Sequence, residues 1–147
     1  MTHVQFTTDD YLRAIERELG KRTTTYPKIL AKMKKRNQPD DVEAAMEFDN
    51  EVVKQYTQIR RLKNVGYLVQ TAPIGGIGNA FAEGCLFELM RELKERKRCY
   101  PRWVKVYKMM TQETADYELA VWESLTRWFA KEYLDLDEFP TKRKKKK

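Results

Sequence analysis

The chain has 147 residues, of which 35% are charged and 41% hydrophobic, and it carries a net charge of +7. That length corresponds to one ordinary domain with a core of its own. No apolar run approaches the roughly 18–20 residues of a membrane span, and Met1 to Asp10 lacks the basic and apolar regions of a signal peptide. Cys85 and Cys99, without CxxC spacing, make no disulfide framework and fit a reducing compartment.

In the first helical segment Tyr11, Leu12, Ile15 and Leu19 recur at helical spacing. Thr8 is its expected N-cap, with Asp9 and Asp10 in the first turn. Gly20 and the run Thr23-Thr24-Thr25 predict its end. After Tyr26-Pro27, the residues Ile29, Leu30 and Met33 predict a short second helix as far as Arg36. Asn37 or Gln38 caps the next helix, with Pro39 at its first position. Val42, Ala45, Met46, Val52, Val53, Tyr56 and Ile59 are expected to line its buried face out to about Lys63, and Asn64-Val65-Gly66 is a stop signal. The connector that follows, to Asn79, holds Pro73 and three glycines, with a possible short strand at Tyr67–Thr71.

The second half reads more simply. Phe81 to Arg98 presents Leu86, Leu89, Met90 and Leu93 on one face, and Pro101 predicts a kink or break near Lys97–Tyr100. Trp103, Val104 and Tyr107 continue the apolar face. Thr111 caps a last helix from about Gln112 to Leu134, whose buried face is Ala115, Leu119, Trp122, Leu125, Phe129 and Tyr133. Pro140 ends ordered structure.

The halves share a pattern at a constant offset of 74 residues. Arg17-Glu18-Leu19 and Tyr26-Pro27 return as Arg91-Glu92-Leu93 and Tyr100-Pro101. Arg22/Arg96, Lys34/Lys108 and Gln38/Gln112 keep the register, as do the apolar pairs Leu12/Leu86 and Ile15/Leu89. Internal repetition of this kind predicts two copies of one supersecondary unit. The expected fold is therefore all-α: a small bundle of two degenerate αα-hairpins with a disordered basic tail. Residues 1–140 form a single domain, with repeat one at about 8–65, a connector at 66–79 and repeat two at about 80–136; the tail is 141–147.

Charge gives the main functional signal. The tail run from Lys142 to Lys147 supplies six positive charges, so a net of one is left for the rest. Within the body, acids gather where helices begin and bases where they end, as macrodipole compensation requires. The exception is Arg91 to Lys108, which carries Arg91, Lys94, Arg96, Lys97, Arg98, Arg102, Lys105 and Lys108 against only Glu92 and Glu95. Basic side chains there would neutralise phosphates, and Tyr100, Trp103 and Tyr107 are interleaved as stacking rings, although Trp103 sits at a core-type position. The candidate nucleic-acid-binding residues are Arg91, Lys94, Arg98, Arg102, Lys105 and Lys108, with Lys142, Arg143, Lys144 and Lys145 of the tail.

Catalysis finds little support. His3 is the only histidine and Ser124 the only serine, so a Ser-His or Cys-His arrangement would have to use the chain terminus. Zinc ligands are too few, and Gly75-Gly76-Ile77-Gly78 matches no phosphate-binding loop. Asp40, Glu43, Glu47 and Glu51 share one helix side, as a carboxylate–Mg²⁺ nucleotide hydrolase would need, but acids at a helix start explain most of that pattern. No catalytic residue, metal or cofactor is assigned.

The run Arg98-Cys99-Tyr100-Pro101-Arg102-Trp103-Val104, with Met110-Thr111-Gln112 and Ala115-Asp116-Tyr117-Glu118-Leu119-Ala120-Val121-Trp122-Glu123, resembles a recurrent segment of small uncharacterised proteins of tailed bacteriophages and prophages. The resemblance implies a mobile-element origin and no reaction. In the first half Ile29 stands where Trp103 does, and the acidic block is reduced to Val42-Glu43-Ala44-Ala45-Met46-Glu47. The expectation is a non-enzymatic accessory protein of the bacterial cytoplasm that binds nucleic acid or a nucleic-acid-bound host complex. The alternatives are a protein-protein module, which could take an acidic surface or a host protein, and the metal-dependent hydrolase.

Overall fold

The structure is a computed structural model that describes residues 6–36, 40–71 and 79–136. They form four α-helices: α1 (Thr8–Arg36), α2 (Val42–Thr71), α3 (Asn79–Lys105) and α4 (Gln112–Leu134), with no strand among the described residues. The expected all-α bundle is what the chain forms.

Side chains mark the helix starts. Thr7 precedes α1 and, rather than Thr8, makes its cap: the Asp10 carboxylate accepts the Thr7 N–H at 2.8 Å while the Thr7 hydroxyl accepts the Asp10 N–H at 3.3 Å. At α2 the Asp41 carboxylate accepts the Ala44 N–H at 3.0 Å; Asn37, Gln38 and Pro39 lie outside the described residues. Thr111 caps α4 as expected, its hydroxyl accepting the Thr114 N–H at 3.0 Å. Asp135, left-handed at φ 54°, closes the other end by donating its N–H to the Lys131 carbonyl at 3.1 Å.

Helix breaks expected at three places are absent. α1 runs unbroken through Gly20, the threonine run and Pro27, and α3 runs through Pro101 to Lys105. A proline inside a helix costs about 3 kcal/mol, and tertiary contacts outweigh it. Tyr26, Ile29, Leu30 and Met33 are all half-buried, and the Tyr26 hydroxyl donates to Gln58 of α2 at 2.7 Å. The Thr23 and Thr24 hydroxyls each donate to the Gly20 carbonyl at 3.0 Å, so these polar groups are satisfied without unwinding the chain. α2 passes through Asn64-Val65-Gly66 to Thr71 because Leu62, Val65, Leu68 and Val69 all face the core. The segment read as a possible strand is thus the last turn of a helix.

Each helix packs on two neighbours. α1 lies against α2 and α4, and α3 against the same two, which leaves α1 diagonal to α3 and α2 diagonal to α4. Neighbours are antiparallel. Along α1, Tyr11 meets Ser124 at 2.6 Å and Arg17 then meets Glu118, so α4 descends as α1 rises. Ile15 lies beside Gly66 and Tyr26 beside Gln58, so α2 descends likewise. This is an up-down-up-down bundle. Its centre is Ile15, Leu62, Val65, Leu89, Val121, Trp122, Leu125 and Phe129, all fully buried. Each such side chain contributes about 1.5–3 kcal/mol.

The stripe expected to bury α2 faces solvent over its first half. Val42, Met46, Val52, Val53 and Tyr56 are exposed, Met46 at 59%. α2 carries two apolar stripes; the inner one includes Leu62, Val65 and Val69 with Gln55, and the other faces outward. Leu93, Trp122 and Phe129 are buried as expected, whereas Leu19, Trp103 and Leu119 are only half-buried. Among the described residues, no helix is long and apolar enough to cross a membrane.

Candidate nucleic-acid interface

The charges of α3 divide into an inward and an outward set. Glu88, Glu92 and Arg96 point into the bundle and are buried, with Arg91 half-buried beside them. From the diagonal helix, Glu18 and Arg22 reach the same place. Arg22 donates to Glu18 at 2.7 Å and to Glu92 across the bundle. Arg96 donates to Glu92 at 2.9 Å and to Glu18 across the bundle. The offset of 74 residues carries Glu18 onto Glu92 and Arg22 onto Arg96, and the fold makes these four side chains pair crosswise. Only long side chains could close the diagonal of a bundle whose α1 and α3 backbones do not touch.

Glu88 and Arg91 complete the cluster on one side. Arg91 donates to Glu88 at 2.6 Å and to Glu92 at 2.7 Å. The position matching Glu88 in the first half is the buried Ala14, so this pair has no counterpart there. Burial pushes the Glu88 carboxyl up to about 7, and its hydrogen bond to Glu92 acts the same way. Burial opposes ionisation of Glu92 too, but the hydrogen bond with Glu88 and the Arg22 and Arg96 charges outweigh it and hold Glu92 at about 2. The Arg96 guanidinium also lies 4.0 Å above the Trp122 ring. Among the described residues, the buried side-chain atoms without a hydrogen bond are Arg22 Nη1 and Arg96 Nε, the former with Glu88 at 3.7 Å as an ion pair. The buried set is therefore structural, and Arg96, counted in the basic stretch, is withdrawn from solvent.

What remains outside is a stripe. Lys94, Arg98, Arg102 and Lys105 recur at spacings of four, four and three, so they share the side of α3 turned away from the core, and all are exposed. Lys108, with φ 53°, is exposed just beyond the helix. Arg98 pairs with Glu95 at 2.7 Å at the surface, where such pairs are worth little. Arg102 donates to the Tyr107 hydroxyl at 3.2 Å and lies 5.7 Å from the centre of its ring. Tyr107 is the exposed aromatic of the stretch; Trp103 is half-buried against Tyr100, with Lys21 of α1 at 5.9 Å, a basic neighbour absent from the sequence reading. Of the residues predicted to bind nucleic acid, Lys94, Arg98, Arg102 and Lys105 come together on one exposed side of α3, and Lys108 is exposed just past its end. Arg91 is engaged by the buried carboxylates, and Lys142, Arg143, Lys144 and Lys145 lie outside the described residues.

The other candidate sites do not assemble. Asp40, Glu43 and Glu47 are exposed, and Glu51 accepts from Gln55 at 2.8 Å. Among the described residues no three His, Cys, Asp or Glu side chains converge as a metal site. Ser124 bonds to Tyr11, and His3 lies outside the described residues. Cys85 is buried and its thiol is pushed up to about 11, the opposite of an activated nucleophile. Comparison with family models, curated proteins and solved structures finds no match.

Proposed function

We propose that this chain is a non-enzymatic accessory protein, encoded by a phage or prophage, that binds nucleic acid or a nucleic-acid-bound host complex in the bacterial cytoplasm. The observation that carries the reading is the outward stripe Lys94, Arg98, Arg102 and Lys105, continued by Lys108 and Tyr107. The buried cluster supports it indirectly. Because Arg91 and Arg96 are held by carboxylates inside, the outer cations stand on an edge where Glu95 is the only acid between Lys94 and Lys108. Their long side chains can follow a phosphate backbone, and the tail would add sequence-independent attraction.

The test is a titration of duplex and single-stranded oligonucleotides at two salt concentrations. The full chain is compared with a form lacking Lys142 to Lys147 and with Arg98→Glu/Arg102→Glu. Truncation weakens binding and flattens the salt dependence by roughly 0.7–0.9 of a log–log slope unit per lost phosphate contact. The charge reversals remove most of what remains. Binding absent at low salt, or unchanged by both alterations, overturns the reading. A protein partner would then lead, since Val106 and Met109 are exposed apolar side chains flanking Tyr107.

A further inference from the structure

The outward stripe of α2 is more ordered than scattered surface apolarity. Val42, Met46, Val53, Tyr56 and Tyr67 are each between 59% and 70% exposed. With the exposed Asp49, Arg60 and Lys63 they fall at alternating spacings of four and three from residue 42 to residue 67. That is an unbroken heptad seam about 38 Å long. It lies opposite the face that Leu62, Val65 and Val69 bury, so the bundle leaves it uncovered. Asp49 makes no ion pair among the described residues, and Arg60 stands over the Tyr56 ring at 5.8 Å.

We propose that the seam of α2 is a dimer interface occupied by α2 of a second copy of this chain, running antiparallel about a dyad between Val53 and Tyr56. The chemistry of the seam selects both the occupant and the direction. In an antiparallel pair the midpoint places Val53 against Tyr56 of the second copy. One layer out, Asp49 meets Arg60 of the second copy. At the ends Val42 meets Tyr67. Met46 meets Lys63, whose stem can lie on the thioether while its ammonium reaches water. Every apolar position thus finds an apolar surface, and the one acid finds a base. A parallel pair would set Asp49 against Asp49, Arg60 against Arg60 and Lys63 against Lys63, three like-charge layers that disfavour it. Val52, on the flank of the seam and 38% exposed, widens the contact beside the half-buried Ile59 of the second copy. The seam is complementary to itself, so no other chain is required to explain it.

Sedimentation equilibrium of the full chain over a concentration series tests this. A reversible dimer is expected. Val53→Glu weakens it by about tenfold or more while leaving the helical circular dichroism unchanged, because the side chain is exposed in the single bundle. Tyr56→Glu repeats the test from the facing position should Val53→Glu disturb the fold. Asp49→Arg and Arg60→Asp each give monomers, since each doubles a like charge, and an equimolar mixture of the two restores a dimer. A wild-type chain that stays monomeric overturns the proposal. So do a dimer indifferent to Val53→Glu and Tyr56→Glu, and a mixture of the two charge variants that remains monomeric.

Discussion

Glu92 and Glu95 stand three residues apart on α3 and give the buried cluster its sharpest test. Glu92 is 1% exposed and accepts from three guanidiniums, those of Arg22, Arg91 and Arg96. Glu95 pairs with the single exposed Arg98. Glu92→Gln keeps the size and one carbonyl oxygen but removes the charge, leaving guanidiniums in the interior with too little to neutralise them. Breaking a buried pair from one side costs about 3–5 kcal/mol. That is about a fifth or more of the roughly 5–15 kcal/mol that holds a domain of this size together. Glu95→Gln, at the surface, costs about 0.2–1 kcal/mol. Urea unfolding followed by circular dichroism at neutral pH measures both, and the slope of the transition shows whether the variants unfold from the same state. The reasoning fails if Glu92→Gln loses no more than Glu95→Gln, for the cluster would then be open to water.

Trp122→Ala removes a fully buried ring on which Arg96 also rests, and a loss of about 3–5 kcal/mol in the same assay is expected; under about 1 kcal/mol would place the ring at the surface. Stability should also depend on pH through the two glutamates. Glu92, held at about 2 against an ordinary 4.5, contributes stability that is present above 4.5 and lost as the pH falls toward 2. Glu88, raised to about 7, contributes stability that is full below 4.5 and lost as the pH rises through 7. A fall on the order of 1–3 kcal/mol between pH 4.5 and pH 7.5 is therefore expected, and Glu88→Gln should flatten it; a variant that keeps the wild-type profile would assign the fall elsewhere. Thiol labelling at mild alkaline pH should find Cys99 open to reagent and Cys85 protected until the bundle unfolds; equal rates would contradict the burial of Cys85.

Much of the fold could be read from apolar spacing, and the failures have local causes. The last helix, its Thr111 cap and its buried Trp122, Leu125 and Phe129 follow from one clear stripe. α1 looked divided because Gly20, the threonines and Pro27 are poor helix formers by themselves, whereas α2 alongside decides the matter. In the first half of α2 spacing alone selects the wrong face, because the helix has two stripes at helical spacing and only its neighbours determine which one is covered. The exposed basic edge was visible as a charge imbalance. The inward turn of Arg91 and Arg96 was not, because Glu92 four residues before Arg96 looks the same in sequence as any surface pair on one helix. Glu18 and Arg22 recur as Glu92 and Arg96 at one offset, but a shared spacing in sequence does not say that the two pairs touch.

The crosswise pairing also has a consequence in time. Glu18 with Arg22 and Glu92 with Arg96 can each close within a single helix as soon as that helix forms. The bonds from Arg22 to Glu92 and from Arg96 to Glu18 join residues 70 and 78 positions apart, so they close only when α1 and α3 come to lie across one centre. Bonds that form last are the ones whose weakening speeds unfolding and leaves folding almost unchanged. The diagonal pairs thus act as a latch, setting how long the assembled bundle stays closed more than how quickly it assembles.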